Sequence, residues 1–264
     1  MVKINILHKY GKEIEERLRL RTFPLAVKLL EKEGDIPEGA KRPKRDMGYH
    51  LNVCQGFSIS RRGGETIAML KEDMWCPEPV IGYGLAKPPE YFLRGYNRFP
   101  ESTRTLEAGR VWAQAFPRLE YGKYIGIVSA QLKTASFEPD LAMIYCDPAQ
   151  LTQLLVAINW NDGHDITCRL SGHAACVYAI TPIINNAKFQ ITSPCVGNRV
   201  TALAQDDELI FTAQREVLED LILGLRYLDK HNSRLPRELQ LKYEGELPNN
   251  YGKIARMMDM EVDK

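Results

Sequence analysis

Neither sign of charge dominates this chain: 35 lysines and arginines stand against 34 acidic residues, a net charge of +1. That balance removes any overall electrostatic reason to expect nucleic acid or an anionic membrane as partner. No run approaches the roughly 18 consecutive apolar residues of a membrane span. The opening stretch MVKINILHKYGKEIEERLRLR sets Lys3 and Lys9 around a short apolar segment and then alternates charge, so it lacks the apolar centre of a secretory signal. These absences give the expectation of a cytoplasmic protein. Catalytic signatures are missing too. RRGGE and GKYIGIVSAQ contain glycines without the spacing that cradles phosphate, and there is no His-Glu-x-x-His, Gly-x-Ser-x-Gly or placeable carboxylate pair.

The 264 residues, 44% hydrophobic and 26% charged with no low-complexity tract, suffice for a sizeable core. YGKEIEERLRLR sets Ile14, Leu18 and Leu20 near helical spacing. Leu25 to Leu30 reads as a buried strand after Pro24, and residues 35 to 47 as a basic, proline-bearing loop containing KRPKR. YHLNVCQGFSISRRGG is helix-like and ETIAML strand-like. A helix is expected near 102 to 115, with Ser102 and Thr103 as caps. KYIGIVSAQL reads as a strand, and so does Leu141 to Cys146. Asp147 and Pro148 then open a helix as its N-cap and first residue. DDELIFTAQREVLEDLILGLRYLDKH closes the core with a strand and an amphipathic helix, and a polar tail follows.

Six cysteines in a reducing compartment point to buried, metal-bound or reactive thiols rather than structural disulfides. Four of them fall into a pattern. VCQGFSISRRGGETIAMLKEDMWCPEPVIGYGLAKPPEYF and ACVYAITPIINNAKFQITSPCVGNRVTALAQDDELIF share one order of parts: cysteine, helix, polar turn, strand, cysteine beside proline, glycine, turn. Cys54 then corresponds to Cys176, Cys76 to Cys195, and Leu25 to Leu141, at offsets of 122, 119 and 116 residues. Two such halves packed about a pseudo-two-fold axis would bring the four thiols together. A Cys₄ set suits a [4Fe-4S] cluster or a tetrahedral zinc. Spacings of 22 and 19 residues within each half differ from a tight Cys-x-x-Cys knuckle, so spacing does not choose the metal.

Other residues carry competing readings. Arg62 follows the Cys54 helix and Arg199 follows Cys195 by four, which makes them candidates to bind a carboxylate or phosphate or to offset thiolate charge. Arg61 shares that reading, and solvated surface arginines are the alternative. His164 and His173 are candidate ligands or proton donors, or else an ordinary turn histidine and a helix-start histidine. Cys146 and Cys168 have no counterpart in the repeat; Cys146 reads as a strand-end core residue. Trp75 and Phe57 are apolar neighbours that could shield a cluster.

RTFPLAVKLL, VCQGFSISRRGGETIAMLKEDMWCP, PDLAMIYCDPAQLTQLL, SGHAACVYAI, SPCVGNR and QDDELIF together resemble the domain of unknown function 169 family of anaerobic bacteria and archaea, over roughly residues 14 to 228. The resemblance implies that Cys54, Cys76, Cys176 and Cys195 belong to the family pattern, and it implies no activity.

The expected architecture is α/β or α+β, with a mixed sheet and two pseudo-repeated halves sharing one core. Residues 1 to 230 form one domain with halves of about 14–125 and 126–230, and 231–264 form the tail. The expected function is a cytoplasmic iron-sulfur protein of anaerobic redox or small-carboxylate metabolism, with a [4Fe-4S] cluster on the four cysteines and Arg62 and Arg199 close by. A metal-free cysteine and arginine enzyme or binder, and a zinc-stapled structural protein, stay open. Compatible partners are a small anionic substrate, a redox protein or a second copy.

Overall fold

The computed structural model describes residues 4–163 and 165–230, together with Tyr251, Lys253, Ile254, Met257 and Met258; side chains of Asp162 and Lys230 are left aside. His164 and the tail from Asn232, apart from those five residues, therefore lie outside the described residues. The chain divides into a unit of residues 1–233 and a unit of 234–264. In the second unit, Tyr251, Lys253, Ile254 and Met257 have helical backbone.

Within the first unit the order is α1 (Ile4–Leu18), β1 (Leu25–Leu30), α2 (Val53–Ser58), β2 (Ile67–Leu70), α3 (Pro77–Gly82), α4 (Glu90–Leu93), α5 (Leu106–Ala115) and β3 (Gly126–Gln131). It continues with β4 (Leu141–Cys146), α6 (Pro148–Asp162), α7 (Ala175–Ile184), β5 (Phe189–Thr192), α8 (Val196–Ala202), β6 (Leu209–Gln214) and α9 (Leu218–Lys230). Local chemistry explains most of these limits. Asp147 caps α6 by accepting the Gln150 N–H while the Gln150 side chain returns to the Asp147 N–H, with Pro148 at the first helical position. Asn52 and Gln55 make the same reciprocal box at α2, which runs on in a wider turn over Ile59–Gly63 and stops at Gly64, φ 82°. The expected helix after residue 102 begins later: Thr105, rather than Ser102 or Thr103, accepts the Ala108 N–H.

Among the described residues, the six strands form one sheet in the order β2-β3-β1-β4-β6-β5. Its five strand pairings are all antiparallel, so the sheet is not mixed. The expectation of parallel neighbours rested on helical connections such as β1 to β2. Those two strands do run the same way, but β3 inserts between them and pairs antiparallel with both.

The register carries more information. At the sheet centre Leu25 faces Met143, Ala26 faces Ala142 and Val27 faces Leu141. Exchanging residues 116 apart maps this ladder onto itself about the Ala26–Ala142 pair. Opposite Leu25, Ala26 and Val27 stand Gln131, Ala130 and Ser129; opposite Leu141, Ala142 and Met143 stand Gln214, Ala213 and Thr212. GIVSAQ of β3 and LIFTAQ of β6 thus hold equivalent places. By register β3 holds the place that β6 holds on the other side of the sheet centre, whereas the PPEYF stretch set against β6 in the sequence runs into α4.

Alternating side chains separate two layers. Ala26, Leu30, Ala142 and Ile144 face the α1, α6 and α9 side with Leu154, Leu221 and Leu225. Leu25, Val27, Met69, Leu141 and Met143 face the other layer, which holds α2, α3 and α7. The cysteines of interest are on that second face.

Candidate functional site

Two of the four thiols come from the second residue of a helix and two from a helix cap. Cys54 and Cys176 are the second residues of α2 and α7, 6% and 4% exposed. Cys76 and Cys195 are the N-cap residues of α3 and α8 and are half-buried. Several contacts hold these starts against one another. The Asn52 amide donates to Thr201 Oγ1 at 2.6 Å, joining α2 to α8. The buried Tyr83 hydroxyl, just past α3, donates to the Cys176 carbonyl at 3.1 Å. At Gly82, a β-carbon would collide with the Val177 side chain, so glycine permits the approach of α3 to α7.

The neighbouring side chains of Cys176 and Cys195, and then burial, push the Cys54 thiol well above the ordinary thiol range. Cys195 goes the other way, down to about 4. The Cys54 hydrogen bond is the main cause; burial opposes it, and the backbone N–H groups of Ala175 and Asn198 and the Asn198 side chain support it. Asn198 Nδ2 lies 3.2 Å from Cys54 Sγ and 3.7 Å from Cys195 Sγ. Cys76 is pushed up to about 12, first by burial and then by the charge of Cys176 and Glu78. The four thiols singled out by sequence therefore influence one another across one small region, one of them as a thiolate.

Of the region's second layer, the sequence singles out Arg61 but not Tyr145, Asn198, Glu208 or Arg98. Tyr145 donates its buried hydroxyl to Asn198 Oδ1 at 2.9 Å, which orients the amide so that its N–H groups face sulfur. Arg61 lies 3.8 Å over the Tyr145 ring and forms a buried pair with Glu208, the two side chains 1% and 2% exposed. Among the three arginines considered, Arg61 is the one stacked on this network. Arg62 donates to the Leu203 carbonyl at 2.7 Å and Arg199 to the Gln205 carbonyl at 2.5 Å, both in the segment after α8. On the other flank, Arg98 pairs with Glu78 and lies 4.0 Å over Trp112, which meets His173 edge-on at 6.1 Å. The negative charge of Cys195 acts on both Glu78 and His173. Burial raises the Glu78 carboxyl and lowers His173.

The remaining candidates lie elsewhere. Cys146 is buried at the end of β4 on the opposite face and is pushed up to about 12 by burial and by Asp147. Cys168 accepts the Ile191 N–H at 3.3 Å. Phe57 is buried in the cysteine-side layer, whereas Trp75 is 54% exposed. The KRPKR loop is largely paired, with Arg42 on Glu72 and Asp73 and Lys41 on Glu65.

Among the described residues, no group of three histidine, cysteine, aspartate or glutamate side chains is arranged to hold a metal ion. Two of the thiols, Cys54 and Cys195, instead lie beside the Asn198 amide. The donor set nonetheless fits a thiolate-ligated centre in kind: four sulfurs, two of them deeply buried, with N–H donors on two.

Fold and site together define an α+β protein with a four-cysteine locus on one face of an antiparallel sheet. The chain belongs to the DUF169 family, described as uncharacterised ArCR, whose model matches residues 13–223. It is similar to an uncharacterised protein, MJ0308, of Methanocaldococcus jannaschii. The two are 22% identical over 228 residues, which cover 85% of this chain and 95% of that protein. No solved structure matches the chain. Among the described residues, no helix is long and apolar enough to cross a membrane.

Proposed function

We propose that this chain is an iron-sulfur protein built of two related halves, each supplying one buried and one helix-capping cysteine to a [4Fe-4S] cluster. Cys54, Cys76, Cys176 and Cys195 would hold it, in a reducing compartment, for redox or small-carboxylate metabolism of an anaerobic cell. What supports this reading is that the side chains of Cys176 and Cys195 act directly on the Cys54 thiol, that one Asn198 amide reaches both Cys54 and Cys195, and that Cys76 feels the charge of Cys176 and Cys195. Such a cluster supplies one-electron transfer, or a Lewis-acid iron where one thiolate is released.

The chain's own groups suit that role. Asn198 donates to two sulfurs and so favours their anionic form, and Tyr145 fixes its orientation. Arg62 and Arg199, both fastened just after α8, add positive charge that offsets an anionic centre. Protein purified and handled without oxygen is expected to be brown, with iron and acid-labile sulfide in equal amounts at four per chain. Serine at any of the four positions should abolish that iron, while C146S and C168S should keep it. Iron and sulfide both absent from anaerobically prepared protein would overturn the proposal, and zinc at one per chain would replace it with the stapled structural reading.

One observation favours a second reading. The Cys195 thiol, lowered to about 4, is a thiolate at neutral pH without any metal, as a cysteine nucleophile requires. A metal-free protein whose ligand turnover is lost on alkylating Cys195 alone would select it.

A further inference from the structure

The two halves differ in one respect that bears on the site. In the second half, α8 ends at Ala202 and β6 begins at Leu209. In the first, α3 ends at Gly82 and β3 begins only at Gly126, and the intervening segment carries α4 and α5. This extra segment lies against the cysteine region. Its Trp112 donates to Ser171 Oγ at 3.4 Å and meets His173, and its Arg98 pairs with Glu78, two residues beyond Cys76.

The segment brings buried polar groups that its own packing does not satisfy. Arg98 is 9% exposed, and one terminal nitrogen is used on Glu78. Its Nε is buried with no hydrogen-bond partner among the described residues. Both polar atoms of the neighbouring Asn97 amide are in the same condition. Three unsatisfied atoms on two consecutive residues, a guanidinium and an amide, are costly for the chain alone and call for a hydrogen-bonding occupant. Trp112, together with Phe92 and Phe116 packed on it, supplies an apolar wall on the same side.

We propose that Asn97 and Arg98 form the seat of a small carboxylate beside Cys195, with Glu78 as the placeholder that occupies Arg98 until that carboxylate arrives. The guanidinium fork matches a carboxylate plane, and the Asn97 amide offers one donor and one acceptor to the rest of the molecule. With Glu78 displaced, the one Arg98 cation balances one negative charge, which favours a monocarboxylate over a phosphate dianion. His173 and Trp112 close the seat on the α7 side. The proposal rests on the cluster reading only for what would happen to the bound carboxylate; the binding itself does not need the cluster.

The test is calorimetric titration of the full chain with sodium acetate, sodium lactate and sodium phosphate at constant ionic strength, both as prepared anaerobically and after iron removal. At least one carboxylate is expected to bind saturably in both preparations, and phosphate not to bind. R98K, which keeps the charge but loses the fork and Nε–H, should weaken that binding by roughly tenfold or more. E78Q should tighten it, because the competing carboxylate is gone. Circular dichroism and thermal melting confirm that both variants are folded. A merely structural Arg98–Glu78 pair predicts that both variants lose binding or stability together, and that result, or phosphate binding as well as the carboxylates, would overturn the proposal. Anaerobically prepared protein that contains no iron yet binds carboxylate would sink the cluster reading alone; iron-loaded protein that binds none would sink this one alone.

Discussion

Asn198 points a single side-chain nitrogen at two sulfurs, 3.2 Å from Cys54 and 3.7 Å from Cys195. Its carbonyl oxygen is occupied by the Tyr145 hydroxyl, so the amide has one orientation to offer. Polar contacts of this kind stabilise negative charge on sulfur whether or not metal is bound.

Removing that amide should raise the Cys195 pKa. In metal-free protein, the pH profile of iodoacetamide alkylation at Cys195, followed by mass spectrometry, is expected to inflect near the value of about 4. N198A should shift the inflection upward, Y145F should shift it less in the same direction, and N198D should shift it furthest, since a carboxylate would face the thiolate. An N198A profile superposable on that of the parent would show that the amide does not govern this thiol.

The buried Arg61–Glu208 pair is expected to act as a single unit. E208A leaves an uncompensated guanidinium under Tyr145, and should destabilise the fold by about 3–5 kcal/mol. The double variant R61M/E208L, which removes both charges, should recover much of that loss. Urea denaturation of the parent, the single and the double variant measures both. A double variant as unstable as the single would mean that hydrogen bonds to Thr22 and Leu203, rather than charge pairing, dominate.

Two glycines permit close helix approach on opposite faces and separate stability from site integrity. G82A drives a methyl group into Val177 between α3 and α7. G224A drives one into the Ala157 carbonyl where α6 meets α9. Each should cost about 1–3 kcal/mol by overpacking. Only G82A separates the element bearing Cys76 from that bearing Cys176, so it alone should reduce iron content per folded chain. Equal iron loss in both would attribute the effect to global destabilisation.

Cys146 provides a pH test away from the site. Its thiol, raised to about 12 in the folded protein against 9.0 in the unfolded chain, stays protonated in the native state where the unfolded state has lost its proton. Its contribution is therefore fully present below pH 9 and is lost as pH rises from about 9 to about 12. C146A should flatten this part of the stability profile relative to the parent, measured by denaturant midpoints at stepped pH. The same alkaline slope in both proteins would assign it to other groups.

Much of the fold was legible because its signals were local. Asp147 followed by Pro148 marked the start of α6, and an apolar six-residue run marked β4, since caps and alternation act over a few residues. That Cys54 and Cys176 take like places in their helix starts, and Cys76 and Cys195 in theirs, was readable for the same reason. Strand direction was not readable, because β3 inserts between β1 and β2 from 56 residues beyond β2, a pairing set by packing rather than by neighbours in the chain. The equivalence of GIVSAQ and LIFTAQ was present in the letters, but the α4–α5 segment displaced it from the aligned window. Arg98 and Asn198 gave no signal. An arginine among prolines and aromatics, and an asparagine within a helix, resemble surface residues until the tertiary structure buries them to 9% and 1% exposure.

The unequal burial of the four thiols gives the site a floor and a mouth. Cys54 and Cys176 lie beneath, while Cys76 and Cys195 stand where solvent reaches. Oxidants, chelators and alkylating reagents meet the helix-capping pair first, whatever the site contains. Damage thus has a sequence: it begins at Cys76 and Cys195 and reaches Cys54 and Cys176 last.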